Sequence, residues 1–161
     1  MTTRYVKTPL FSLVVTEQDG AVVSARFAGD SDPCASCADD TPLLLLAERE
    51  LTAYANGTLT EFTVPCAPKG TPFMQRVWAQ LRAIAYGQTL TYSQIAALAG
   101  NGRASRAVGQ ACNRNPISVI IPCHRVIGKN GTLTGYAGGL GIKERLLCME
   151  RDAAAKPGAR V

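Results

Sequence analysis

Apolar and polar positions alternate most clearly near the amino terminus. Leu10 to Val15 and Ala21 to Phe27 are β-rich runs separated by Thr16-Glu17-Gln18-Asp19-Gly20. Asp-Gly suits a tight turn, so the pattern predicts a β-hairpin. The polar stretch from Gly29 to Asp40 predicts a loop. Thr41-Pro42 then offers an N-cap followed by proline at the first helical position, opening a helix over Leu43 to Ala55 that runs out at Asn56-Gly57. Glu61 to Val64 is expected as a short strand and Pro65 to Gly70 as a linker.

The second half reads as mostly helical. Thr71-Pro72 repeats the cap-and-proline pattern, and Phe73, Val77, Trp78, Leu81 and Ile84 fall on one helical face before Tyr86-Gly87-Gln88 ends it. Thr91-Tyr92-Ser93-Gln94 has the form of a capping box and opens a short helix over Ser93 to Ala99. After Gly100-Asn101-Gly102, a second helix is predicted over Arg103 to Asn113. Two short helices joined by a glycine-containing turn fit a helix-turn-helix, although an ordinary helical hairpin has the same spacing. The apolar run Val119 to Cys123 reads as a buried strand, with Pro122 favouring a turn at its end. A glycine-rich stretch, Gly128 to Gly141, surrounds Tyr136 and matches no phosphate-loop motif. An amphipathic helix over Ile142 to Met149 leads to Glu150, and Ala153 to Val161 is expected to be a mobile tail. The chain is therefore α+β, divided into residues 1–66 and 67–161.

Charge sharpens that division. Of 161 residues, the first 66 carry four Lys/Arg against nine Asp/Glu, a net of −5, and the remainder carry thirteen against three, a net of +10. Such asymmetry points the second half toward a polyanion. The predicted Arg103–Asn113 helix has small residues (Ala104, Ser105, Ala107, Gly109, Ala111) around one long probe, Arg106. A major-groove reader usually carries several long polar side chains. Small residues suit a close, shape-reading approach through the minor groove with an inserted side chain. No apolar stretch reaches transmembrane length and no secretory signal is evident, so a cytoplasmic protein with mostly reduced cysteines is expected.

The candidate chemistry centres on Cys123 and His124, the latter being the single histidine of the chain. A thiolate is the attacking form of cysteine, and a neighbouring base or cation promotes it. A buried structural cysteine followed by a surface histidine would look the same in isolation. Asn115 lies between the predicted second helix and the Cys123 segment, where its amide could bond to both.

These residues, taken together, resemble the O6-alkylguanine-DNA alkyltransferases, the methylated-DNA–protein-cysteine methyltransferases. The resemblance runs over about residues 71–150, through Phe73…Val77-Trp78, Tyr86-Gly87…Thr91-Tyr92, Arg103-Ala104-Ser105-Arg106-Ala107-Val108-Gly109, Asn115-Pro116, Ile121-Pro122-Cys123-His124-Arg125-Val126 and Gly135-Tyr136-Ala137-Gly138-Gly139. It implies a small, variable, ribonuclease-H-like amino-terminal domain and a carboxy-terminal domain with a winged-helix-like helix-turn-helix. It also implies single-turnover transfer of an alkyl group from O6 of guanine in double-stranded DNA to Cys123.

The residue roles follow from the same resemblance. Cys123, His124 and Glu150 match a cysteine–water–histidine–glutamate relay, and Tyr92 matches the donor to guanine N3. Asn115, Val126, Tyr136, Ala137 and Gly138 match the walls and backbone contacts of the base pocket. Arg106 matches the side chain that replaces the flipped nucleotide, since O6 is out of a thiol's reach inside a duplex. Ser93, Asn101, Ala104, Ser105 and Lys129 match DNA-contact positions. No cofactor is implied, and no membrane partner. A monomer is expected, with cooperative neighbours on DNA and O4-alkylthymine as a second substrate left open.

The chain also departs from some relatives. No histidine precedes His124, and Cys34, Cys37 and Cys66 supply one ligand fewer than a structural zinc site usually has, so no metal is expected. Ser118 stands where some relatives carry proline, which leaves tolerance for bulky alkyl groups open. Two other readings compete: a helix-turn-helix factor that binds without chemistry, and a Cys–His hydrolase with repeated turnover.

Overall fold

The computed structural model describes residues 1–30, 32 and 40–155. The Cys34/Cys37 pair and the tail beyond Ala155 lie outside the described residues. Among the described residues two compact units emerge: those of Met1–Pro68 together with Pro116–Ile120, and Lys69–Asn115 together with residues 121–155. Five α-helices and two small sheets make up the described residues.

The first unit is built on an antiparallel meander of β1 (Thr2–Lys7), β2 (Ser12–Gln18) and β3 (Ala21–Phe27). The β2–β3 turn has Asp19 at φ 53° and Gly20 at φ 81°, the two left-handed positions that a two-residue hairpin demands. Strand β1 was not foreseen. Its sequence, Thr-Thr-Arg-Tyr-Val-Lys, has only Val6 fully buried, so no apolar alternation marks it, and pairing with β2 makes it a strand. Helix α1 (Pro42–Ala55) starts at Thr41, whose hydroxyl accepts from Leu44 N at 3.2 Å, and buries Leu44, Ala47, Leu51 and Tyr54.

The strand expected over Glu61 to Val64 does not form. Buried Glu50 on α1 instead takes the Thr63 amide on its carboxylate at 2.9 Å and also accepts from the Thr63 hydroxyl. A side chain thus satisfies the backbone group that a neighbouring strand would have taken.

In the second unit, α2 (Pro72–Arg82) begins at the Thr71 cap and buries Val77, Trp78 and Leu81. Trp78 donates Nε1–H to the carbonyl of Ala111 at 2.9 Å, tying α2 to the later helix that carries Ala111. A Cβ on Gly70 would sit 2.4 Å from the Trp78 ring, so glycine is needed there for close approach. The Thr91–Gln94 capping box is formed in full and opens α3 (Tyr92–Leu98). Asn101 then shapes the turn: its Oδ1 accepts from Arg103 N at 3.1 Å and its carbonyl from Ala104 N at 3.0 Å. Helix α4 (Ser105–Asn113) turns Val108 and Ala111 inward and leaves Arg106, Gln110 and Asn113 exposed. A short parallel pair, β4 (Leu90–Thr91) with β5 (Val126–Ile127), precedes α5 (Leu140–Ala155). Helix α5 extends beyond its predicted span at both ends, which places Glu150 inside it. Among the described residues, no helix is long and apolar enough to cross a membrane.

The run leading to Cys123 is buried as expected, but it is not a strand. Ser118 accepts from Ile120 N at 2.8 Å across Val119, which has φ 70°, and Ile121 accepts from Cys123 N at 2.8 Å across Pro122, which has φ −83° and ψ 65°. These are two successive γ-turns, the second of the common inverse kind. An unbroken apolar run reports burial without periodicity, so it could not distinguish a strand from a folded-back turn. Proline fixes φ near the value that the inverse turn needs, and Cys123 then begins a single 3-10 turn, Cys123–Arg125.

Candidate active site

The 3-10 turn presents Cys123, His124 and Arg125 in succession, and all three are buried. His124 Nε2 lies 2.6 Å from Glu150 Oε2, with 0% and 1% of the two side chains exposed. Arg125 grips the same carboxylate from another side, donating Nε–H to Oε1 at 2.8 Å and an Nη2 hydrogen to Oε2 at 3.2 Å. Its Nη1 donates to the carbonyl of Ile84 at 2.8 Å, and Gly87 N–H donates to Glu150 Oε1 at 3.3 Å. One carboxylate therefore collects an imidazole, a guanidinium and a backbone amide.

The electrostatics follow from that arrangement. Glu150 is held down at about 2, against the cost of its own burial, by hydrogen bonds and charge from His124 and Arg125. Burial lowers the basicity of His124, opposed by its bond to Glu150. Burial favours the neutral imidazole while its partners favour the ionised carboxylate, so His124 can accept a proton and Glu150 can support the cation formed. Tyr136 packs edge-on against His124, with ring centroids 6.4 Å apart.

Cys123 is 6% exposed, and burial pushes its thiol up. A hydrogen bond from Asn115 and the charge of Lys143 work in the opposite direction. The Asn115 amide also donates to the carbonyl of Ile121 at 2.8 Å, so one side chain joins the end of α4 to the Cys123 turn. Asn115→Ala is expected to remove thiolate stabilisation and move the pH of half-maximal Cys123 reaction upward. A single-turnover pH profile checks this, and an unmoved midpoint would remove Asn115 from the activation.

Lys143 and Arg125 were missed as functional positions. Lys143 is 1% exposed and donates Nζ–H to the carbonyls of Val126 at 2.7 Å and Thr134 at 3.1 Å. Its sequence signal was the spacing Lys143, Leu146, Glu150, which are the buried residues of α5 and place two opposite charges on one inward face.

An open cavity of about 460 Å³ is lined by Tyr92, Ser105, Arg106, Gly109, Gln110, Asn113, Thr134 and Gly135. It brings the α4 candidates Ser105 and Arg106 together with Tyr92, whose hydroxyl lies 2.7 Å from Thr134 Oγ1. The remaining candidates are more scattered. Ser93 is exposed and bonds to Thr91 at 3.1 Å, while Ala104 occupies the α4 N-cap position without a side-chain bond. Lys129 is exposed on the 3-10 turn Lys129–Gly131. Ala137 and Gly138 lie in the turn closed by Gly139 N to Tyr136 O at 2.9 Å, and Val126 accepts from Lys143 while its own N–H bonds to the Cys123 carbonyl. Among the described residues, no cluster of His, Cys, Asp and Glu could hold a metal ion.

The chain is similar to known proteins in sequence and in fold. The family model described as "6-O-methylguanine DNA methyltransferase, DNA binding domain" matches residues 72–152, half of the chain. A methylated-DNA–protein-cysteine methyltransferase of Methanosarcina acetivorans is 60% identical over 104 residues, covering 65% of this chain and 67% of that protein. The Mycolicibacterium paratuberculosis protein of the same name is 40% identical over 150 residues, covering 92% and 91%. The crystal structure of Mycobacterium tuberculosis O6-methylguanine methyltransferase superposes with a TM-score of 0.85 at 38% identity, covering 98% of this chain and 95% of that one. A structure of the M. tuberculosis OGT in complex with DNA gives 0.85 at 39% identity over 94% of each chain. Identity that extends through both halves of the sequence, together with the domain match over the Cys123–Glu150 region, makes this chain a member of the methylated-DNA–protein-cysteine methyltransferase family.

Proposed function

We propose that this chain repairs alkylated double-stranded DNA by direct reversal, moving the alkyl group from O6 of guanine to Cys123 once per molecule. The observation that carries this reading is the buried His124–Glu150–Arg125 assembly directly beside a buried cysteine. His124 takes the thiol proton through one water, and Glu150 supports the imidazolium. The sulfur attacks the alkyl carbon, the S–C bond forms, and the C–O6 bond breaks with its electron pair passing into the purine. Tyr92 donates its proton to guanine N3. The phenolate and imidazolium are then neutralised through solvent, which leaves S-alkyl-Cys123 and guanine. A thioether does not hydrolyse in water, so the protein is consumed.

Domain roles belong to the same proposal. The unit built on β1 to β3 and α1 is a structural, ribonuclease-H-like domain, and the unit that carries α2 to α5 is the DNA-binding alkyltransferase domain with a winged-helix-like fold. The exposed face of α4 enters the minor groove, Arg106 fills the space of a flipped nucleotide, and Ser93, Asn101, Ala104, Ser105 and Lys129 flank it. A Cβ on Gly109 would meet nothing within 4 Å, so its smallness serves no contact inside the described chain and supports close approach of a partner. Asn115, Val126, Tyr136, Ala137 and Gly138 line the base. The protein acts as a cytoplasmic monomer.

Intact-mass analysis after incubation with duplex carrying O6-methylguanine tests the reading. One added methyl group on Cys123 per molecule is expected, with no second turnover. An unmodified Cys123 beside an intact lesion would overturn it. Repeated product release would point to a hydrolase, and sequence-selective binding without product to a DNA-binding factor.

A further inference from the structure

Thr134 has no part in the chemistry above, yet it stands between two parts of the site. Its hydroxyl lies 2.7 Å from the Tyr92 hydroxyl, and both side chains line the 460 Å³ cavity beside Arg106. Behind it, the Thr134 carbonyl accepts from buried Lys143 at 3.1 Å, and the same ammonium holds the Val126 carbonyl at 2.7 Å. A buried cation on α5 thus fixes the Thr134 backbone, while Tyr92 is fixed from the other side as the first residue of α3, directly after the Thr91 cap.

A phenol has one proton and accepts through the oxygen's lone pairs. If Thr134 donates to that oxygen, the tyrosine proton is left to point into the cavity. If Tyr92 donates to Thr134, its proton is engaged and faces away from any base. The Lys143 contact with the Thr134 carbonyl sets where the threonine hydroxyl stands but leaves it free to donate. We propose that Thr134 is a positioning residue for Tyr92, donating to the phenol oxygen and aiming the tyrosine proton at the ring nitrogen of the extruded base. The inference rests on the alkyl-transfer reading. During transfer the threonine proton stays on Thr134 and the tyrosine proton passes to the base. The threonine bond then stabilises the phenolate that remains. In keeping with this, burial raises the Tyr92 hydroxyl above its ordinary value and the Thr134 bond works against that rise.

The test pairs Thr134→Val, which keeps the shape and removes the hydroxyl, with Thr134→Ser, which keeps the hydroxyl. Single-turnover transfer from O6-methylguanine duplex is followed against pH and DNA concentration. For Thr134→Val, the maximal rate should fall about tenfold, the loss expected for one hydrogen bond to a developing charge. Duplex affinity should stay within about twofold, since the bond is internal to the protein. Thr134→Ser should recover most of the rate. In a Tyr92→Phe background, Thr134→Val should have no further effect, because the phenol oxygen it serves is gone. In the DNA-free protein, tyrosine ring-carbon NMR should show Tyr92 titrating at higher pH in Thr134→Val. The proposal is overturned by a Thr134→Val protein with wild-type rate and unmoved Tyr92 titration. It is equally overturned by a loss of affinity alone, or by an additive loss in the Tyr92→Phe background. If the wild-type protein places no alkyl group on Cys123, the alkyl-transfer reading fails first and takes this role with it. If the wild type transfers and only the Thr134 comparisons fail, the alkyl-transfer reading stands.

Discussion

Cys123→Ser protein is expected to bind O6-methylguanine duplex and leave the lesion untouched. The transfer rate should fall by roughly 10⁴-fold or more, because a serine hydroxyl is a far weaker acid and nucleophile than a thiol. The pocket aggravates the loss, since a side chain that is 6% exposed gains little hydration for its anion. Asn115 and Lys143 oppose the effect of burial on the thiol, but they cannot make up for the far weaker acidity of an alcohol. Affinity for the duplex should change by less than about threefold, because Arg106, Gln110 and Asn113 on α4 are exposed and distinct from the sulfur. Fluorescence anisotropy for binding and intact mass for transfer check the two halves separately. Surviving transfer would place the nucleophile elsewhere. Cys112 is the nearby alternative, but burial pushes its thiol up to about 12, which leaves almost no thiolate near neutral pH.

Glu150→Gln should have the second-largest effect, and on stability as well as rate. The substitution removes the charge that Arg125 and His124 share and strands a guanidinium whose side chain is 8% exposed. Breaking a buried pair by removing one partner costs about 3–5 kcal/mol, measurable as a lower urea midpoint. Transfer should slow by about 100-fold, because His124 loses both its orientation and the support for its cation. The pH dependence has a defined sign. The Glu150 carboxyl falls from 4.5 to about 2 on folding, so its stabilising contribution is present above pH 4.5 and is lost as pH drops toward 2. A shift of that size corresponds to about 3 kcal/mol. Wild-type stability should therefore fall steeply through this window, and the Gln variant should show a flatter acid limb. A Gln variant of wild-type stability, with the same acid limb, would mean that the carboxylate is not the hub the geometry makes it.

Much of the molecule was legible in the sequence where a local rule carried the information. Thr41, Thr71 and Thr91 marked helix starts because a hydroxyl followed by an N1 proline or an N3 glutamine has few other uses, and all three cap their helices. Asp19-Gly20 marked the hairpin because both positions need positive φ. The elements that were misread lacked a local signature. Strand β1 has little apolar alternation, Glu61–Val64 is satisfied by a glutamate 13 residues away from Thr63, and Val119–Cys123 is uniformly apolar.

The sequence alone narrowed the residues that could carry reactive chemistry. One histidine beside a cysteine after a proline, in a basic half with Arg106 on a helix of small residues, restricted the candidates because the chain has no second histidine to pair with another thiol. Only the tertiary structure decided what those groups touch. Glu150 lies 26 residues from His124 along the chain and 2.6 Å away in space, and Lys143 reaches back 17 residues to Val126. Burial then sets their charge states. A carboxylate and an ammonium that sequence statistics would put in water are held in the interior because each meets a full set of partners there, and that closure depends on how α5 packs against the Cys123 turn.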